Sequence, residues 1–157
     1  MTNQRRKIKI ITNAFFYFAF ACLLFYIDIS MFSIFQKPFS QFLLCAYIVL
    51  LTKQRSALFL SPFVLLLSLE SLVFFGQIEY LLFFTLLAYV SVRLFKELIQ
   101  ISVAIPLIAL SINLLTQKFF FIIYLSQSHN DFLYTIGHFC FNLLFLIIYW
   151  IFENNGK

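Results

Sequence analysis

The chain has 157 residues, of which 63% are hydrophobic and only 11% charged, with a mean hydropathy of +0.98. A soluble domain carries roughly 25% charged residues, so there is too little polar surface here to cover a water-facing globule. The formal net charge of +5 would suit nucleic acid, but the basic residues flank apolar runs and form no patch, which excludes that partner and leaves the lipid bilayer as the surroundings.

A helix of about 20 apolar residues crosses a bilayer core of about 30 Å, with about 17–25 tolerated. The first run, Ile10–Ile27, follows a short basic N-terminus. It is longer than the core of a cleavable signal, which runs to roughly 15 residues, and no small-residue cleavage site follows it, so it reads as an uncleaved first span ending before Asp28. The second, Phe42–Thr52, is short unless Phe39, Ser40 and Gln41 join it to make Phe39–Thr52, with Pro38 as a first-turn residue. The third is Ser56–Phe75. The fourth, Ile78–Phe95, requires Glu79 at the outer interface and a snorkelling Arg93 at the inner one. The fifth, Leu98–Leu115, carries Pro106 near its middle, which predicts a kink. The sixth is Phe132–Phe152. The outer segments Asp28–Gln41 and Gln117–Asp131 are partly apolar; they lie in the interface or lengthen adjacent helices. Tyr80, Tyr124, Tyr134, Tyr149 and Trp150 fall near span ends, where an aromatic belt sits. The fold class is therefore all-α, a polytopic membrane protein with one transmembrane domain of about six helices over residues 1–157.

Charge placement gives the orientation. Arg5, Arg6, Lys7 and Lys9 precede the first run, Lys53 and Arg55 follow the second, Arg93 and Lys96 follow the fourth, and Lys157 ends the chain. Only Lys37 and Lys118 fall in the other gaps. Short cytoplasmic loops retain Lys and Arg, so this alternation predicts six spans with both termini cytoplasmic. Arg5, Arg6, Lys53, Arg55, Arg93 and Lys96 are its chief determinants.

Residues that could carry chemistry are few. Glu70 is the carboxylate well inside a confident span, about 21 Å along the third helix from Ser56. Holding it in the membrane costs up to roughly 2.5–3.5 kcal/mol. It reads either as a buried polar contact to another helix or partner, or as a group reaching a water-filled outer indentation. Ser61, Ser68 and Ser71 share its helix, with Ser61 and Ser68 on one face where hydroxyls can bond between helices. Without a paired base they make a poor nucleophilic site. Thr135, His138 and Asn142 form a stripe on the last span; His138 reads as a packing histidine or a ligand contact, with Asn113 of the fifth span as a candidate partner. His129 and Asp131 form a solvated pair. Cys22, Cys45 and Cys140 are isolated in apolar runs, without a redox or metal motif. No HExxH-like array, acidic cluster or phosphate-cradling glycine loop occurs. The expectation is a protein without catalytic residues, metal or cofactor.

Several segments resemble the MreD family of bacterial rod-shape-determining membrane proteins. Lys37-Pro38 introduces the second span as a basic-Pro pair does in that family. Tyr47-Ile48-Val49-Leu50-Leu51 runs into the basic turn Lys53-Gln54-Arg55. Leu66-Leu67-Ser68-Leu69-Glu70-Ser71-Leu72 resembles an apolar segment ending in an acidic residue, and Gly76 follows. Leu87-Ala88-Tyr89-Val90-Ser91-Val92-Arg93-Leu94-Phe95 resembles a glycine-flanked segment that runs into arginines. The family has Asp at the Glu70 position and several glycines that this chain lacks. The resemblance implies a non-enzymatic inner-membrane scaffold of the elongation and peptidoglycan-synthesis machinery, with a bitopic MreC-like protein and the actin-like MreB as partners. It also implies a fold similar to the six-helix substrate-binding subunits of vitamin transporters. The alternative function is thus a small-molecule binding or transport subunit, with Glu70, His138 and Asn142 lining an outer cavity.

Overall fold

The computed structural model describes residues 3–35, 40–53, 56–75, 79–99, 103–124 and 132–155. These form six helices, α1 (Asn3–Phe35), α2 (Phe42–Thr52), α3 (Ala57–Phe75), α4 (Glu79–Leu98), α5 (Ala104–Tyr124) and α6 (Phe132–Asn155), and no strand occurs among the described residues. Among the described residues, three segments are long and apolar enough to cross a membrane: Ile10–Phe35, Ala57–Phe74 and Thr135–Asn155. Phe42–Thr52 and Ala104–Phe119 are shorter apolar stretches.

The architecture is built around α2. Its sequence, Phe-Leu-Leu-Cys-Ala-Tyr-Ile-Val-Leu-Leu-Thr, has no charged or amide side chain, and a helix that is hydrophobic all round belongs inside. Every residue from Phe42 to Leu50 is buried, and α2 packs against all five other helices. The five surround it in the order α1, α3, α4, α5, α6, each packed on the next. Side chains close the ring between α6 and α1: the Tyr17 hydroxyl donates to Glu153 Oε1 at 3.0 Å, and the Phe20 and Tyr149 rings stack 5.3 Å apart. Around α2 lie Ala21 and Leu24 of α1, Phe63 of α3, Ala88 of α4, Leu110 of α5 and Leu146 of α6, all buried. The outward faces are also apolar, with Phe15, Phe16, Leu65, Leu86, Phe119 and Ile148 exposed. Water would not tolerate that surface; lipid does.

Several expected boundaries move. α1 does not end at Ile27 but continues to Phe35, because Ile29-Ser30-Met31-Phe32 extends the apolar helix and Asp28 finds partners inside the bundle. The Asp28–Gln41 segment thus lengthens α1 over its first part, and Gln117–Tyr124 likewise lengthens α5. The second helix begins at Phe42, with Ser40 and Gln41 outside it, so it is the shorter of the two readings. Pro38 and Phe39 lie outside the described residues. At 1.5 Å per residue α2 is about 16 Å long, half a bilayer core.

The fifth helix starts at Ala104, not Leu98, which places Pro106 in its first turn. There the missing N–H has no carbonyl to reach in any case, so the proline starts the helix and kinks nothing. The interior proline is Pro62 of α3. Lacking an N–H, it cannot bond the Leu58 carbonyl four residues back, and the Ser61 hydroxyl donates to that oxygen instead, at 3.2 Å. Ser68 likewise donates within its own helix, to the Val64 carbonyl at 2.9 Å. The expected bonding of Ser61 and Ser68 between helices is therefore replaced by bonding along α3, an outlet open to a hydroxyl wherever a backbone carbonyl sits one turn earlier.

Candidate functional site

A helix that begins inside a membrane protein exposes its first N–H groups to a medium without water, and each unmatched one costs about 1–3 kcal/mol. The start of α2 meets this problem with two imported side chains. Asp28 of α1 accepts from the Phe42 N–H at Oδ1 (3.1 Å) and from the Leu43 N–H at Oδ2 (2.9 Å). Asn142 of α6 accepts from the Gln41 N–H at Oδ1 (2.7 Å). Both side chains are fully buried. Asn142 is itself held by its own helix, donating to the His138 carbonyl at 2.7 Å and lying 3.2 Å from His138 Nδ1, while the Cys45 thiol rests 3.6 Å from the Asn142 carbonyl. One side chain fourteen positions before α2 and another about a hundred positions after its start thus fix where it begins. The carboxylate also faces the positive end of the helix dipole, the favourable sense.

The opposite end of α2 has the complementary charge. Lys96 Nζ of α4 donates to the Thr52 carbonyl at 3.4 Å, the Lys53 N–H donates to the Val49 carbonyl at 3.0 Å, and Thr52 Oγ1 returns to the Ile48 carbonyl at 2.8 Å. Lys53 lies over the Trp150 ring, 4.7 Å from its centroid, and donates to Asn154 Oδ1. Cations at a helix C-terminus and an anion at its N-terminus clamp the same element from both ends. Next to this end Glu153 is buried, and its Oε1 accepts from both Tyr17 (3.0 Å) and Tyr149 (3.2 Å). Tyr149 and Trp150, expected in an interfacial belt, instead face these inner partners, drawn in by an acceptor and a cation. The side chains of Tyr80, Tyr124 and Tyr134 lie outside the described ones, as do residues His129 and Asp131.

Glu70 is buried (4% exposed) and sits beside Asp28. Its Oε1 has no hydrogen-bond partner and borders a cavity of about 30 Å³, together with Gln41, Ser71, Thr85 and Gln117 on the polar side. Gln41 Nε2 donates to Gln117 Oε1, while Gln41 Oε1 is left without a partner. Leu and Phe side chains of α2, α3 and α4 form the remaining wall.

The site residues read from sequence divide into three groups. Glu70 and Ser71 line the cavity, His138 and Asn142 serve the α2 start, and Asn113 and Ser68 bond along their own helices. Asn113 is fully buried, with Nδ2 donating to the Ala109 carbonyl at 3.1 Å and Oδ1 unpartnered. Among the basic residues, Lys53 and Lys96 hold the end of α2, and exposed Arg93 donates to the Tyr89 hydroxyl at 3.0 Å. Arg5 and Arg6 lie at the start of α1, and Arg55 is outside the described residues. Sequence reading missed Asp28, Gln41, Gln117, Thr85 and Glu153. The available signal for Asp28 was its context: one carboxylate between Phe25-Tyr26-Ile27 and Ile29-Ser30-Met31, continuous apolar sequence on both sides.

This arrangement positions the start of α2 and leaves a Glu70 and a Gln41 oxygen without a partner at the cavity. Among the described residues no group of three or more His, Cys, Asp and Glu side chains gathers to hold a metal. No protein-family model matches the sequence, and neither a curated protein nor a solved structure is significantly similar to it.

Proposed function

We propose that the chain is a polytopic scaffold of the bacterial inner membrane, of the MreD kind, crossing six times with both termini in the cytoplasm. In this role it joins a bitopic MreC-like protein and the actin-like MreB to the wall-synthesis machinery during elongation. The observation that carries the reading is where the polar side chains go. Asp28, Asn142, Lys53 and Lys96 are spent on fixing the two ends of α2, which leaves an apolar exterior for lipid and helical partners.

The short α2 is compatible with a full crossing. A helix enclosed by five others is not required to match the bilayer thickness, and irregular backbone at membrane depth is tolerated where protein covers it. Lys53 and Lys96 meeting at one end of the bundle also agrees with the positive-inside arrangement. Against the vitamin-transport alternative stands a magnitude: sites for such ligands measure about 300–1,000 Å³, tenfold or more above the 30 Å³ beside Glu70. Depletion of the protein in its rod-shaped host tests the scaffold reading. Rods should round into spheres, and unchanged shape would refute it.

A further inference from the structure

Two carboxyl groups meet at the start of α2. Asp28 of α1 and Glu70 of α3 are both buried, at 0% and 4% exposure, and they are hydrogen-bonded to each other. Two ionised carboxylates bring only acceptors to such a bond. One proton must therefore lie between them.

The surrounding contacts decide which group carries it. Asp28 accepts the Phe42 N–H at Oδ1 and the Leu43 N–H at Oδ2, at the positive end of α2. Both of its oxygens act as acceptors, the pattern of an ionised carboxylate. Among the described residues no N–H or O–H donor reaches Glu70 Oε1. An ionised oxygen in that position would bear its full desolvation cost, whereas a neutral acid bears far less. Charge balance agrees. The elements packed on α3 are α1, α2 and α4; α1 brings Asp28, and α2 brings the Cys45 thiol beside both carboxyls. At the adjoining cavity α4 presents Phe84 and Thr85 and α5 presents Gln117, so its described lining holds no Lys, Arg or His. His138 of α6 lies 3.2 Å from Asn142 Nδ2, further around the α2 start.

We propose that Asp28 and Glu70 form a single-proton site, in which Glu70 carries the proton and donates it to the Asp28 carboxylate, and that this proton seats the start of α2 against α1 and α3. The site stands whether or not the scaffold reading holds. A water needs about 10–15 Å³, and the cavity beside Glu70 offers about 30 Å³ with Ser71, Thr85 and Gln117 in its wall, so the proton has a carrier. Its loss removes the bond between α1 and α3 and leaves two like charges side by side in an apolar interior. The proton is bound on the acid side and leaves as pH rises, so the stability it contributes is whole at low pH and lost at high pH.

The experiment uses the full chain purified in detergent. At about pH 7 its infrared spectrum should contain a carboxylic-acid C=O band that shifts when glutamate, but not aspartate, is ¹³C-labelled. Glu70→Gln should lack that band. The amide still offers Asp28 a donor, so the variant should melt within about 2 °C of the parent at that pH. Between about pH 6 and about pH 10 the parent should lose at least about 5 °C more in melting temperature than Glu70→Gln does. Cys45 and His138 titrate in both proteins, so the difference isolates the carboxyl pair. A band that is absent from the parent, follows aspartate labelling or persists undiminished in Glu70→Gln overturns the assignment of the proton. Equal pH dependence of melting in the two proteins overturns its seating role. Labelling is read on the parent, so it decides even if Glu70→Gln does not fold.

Discussion

Replacing Asp28 with alanine tests most directly how this bundle is held together. The substitution deletes an acceptor shared by two N–H groups, those of Phe42 and Leu43, at 3.1 and 2.9 Å. Each buried donor left without a partner costs about 1–3 kcal/mol, more toward the upper end when the lost acceptor was charged. The two together give about 4–5 kcal/mol. The Glu70 carboxyl, hydrogen-bonded to Asp28, loses that partner as well, which adds about 1 kcal/mol. The total loss is about 5–6 kcal/mol, which for a chain of this size corresponds to a fall of about 10–24 °C in melting temperature. Asp28→Asn keeps one carbonyl oxygen with two lone pairs and should lose about half as much. The assay is thermal unfolding in detergent, joined by hydrogen exchange read at single amides. In Asp28→Ala the Phe42 and Leu43 amides should exchange faster, while amides in the middle of α6 change little. A melting temperature within 2 °C of the parent, or exchange that rises uniformly along all helices, would show that Asp28 does not cap α2.

Other outcomes follow from the same contacts. Tyr17→Phe and Tyr149→Phe each remove a donor to Glu153 Oε1 and should each cost about 1 kcal/mol by thermal unfolding; a double-mutant cycle should show the two effects to be non-additive by at least about 0.5 kcal/mol, because they share one acceptor. Leu146→Ala, at a fully buried position facing α2, should lose about 2–5 kcal/mol, whereas Leu144→Ala on the exposed face of the same helix should stay within about 0.5 kcal/mol. A membrane-permeant maleimide should modify exposed Cys140 in the native protein and reach buried Cys45 only after denaturation; early labelling of Cys45 would contradict the enclosure of α2. Reporter fusions at Gln54 and Gln100 should read as cytoplasmic, and those at Gln77 and Asn130 as external. Any reversal among the four refutes the six-crossing arrangement.

Much of the fold was legible along the chain. Continuous apolar runs can only be helices where lipid forbids unpaired backbone, so the existence and order of the six followed from composition and spacing. The helix ends did not. At Asp28 a charge was read as the end of a span, because on its own a carboxylate belongs at the membrane surface; it is interior because two N–H groups fourteen and fifteen residues later await it. At Pro106 a proline was read as a kink, because nothing local shows that its helix begins only two residues earlier. At Ser61 the hydroxyl was assigned to a neighbouring helix although the adjacent Pro62 had already opened a carbonyl on its own helix, a case that the sequence did contain.

The sequence by itself determined that the chain is helical and apolar, because these properties depend only on what each segment can bury. It also singled out Glu70, His138 and Asn142 as polar groups in costly places. Only the tertiary structure decided that α2 is the centre, enclosed by the other five helices, with Asp28 and Asn142 at one end and Lys53 and Lys96 at the other. The physical reason is that a buried polar atom must find a partner, and the partner here is a backbone group far away in sequence: Asn142 is used by Gln41, about a hundred residues earlier. Periodicity and propensity describe a helix alone, whereas hydrogen-bond satisfaction in a water-free interior is a property of the whole assembled bundle.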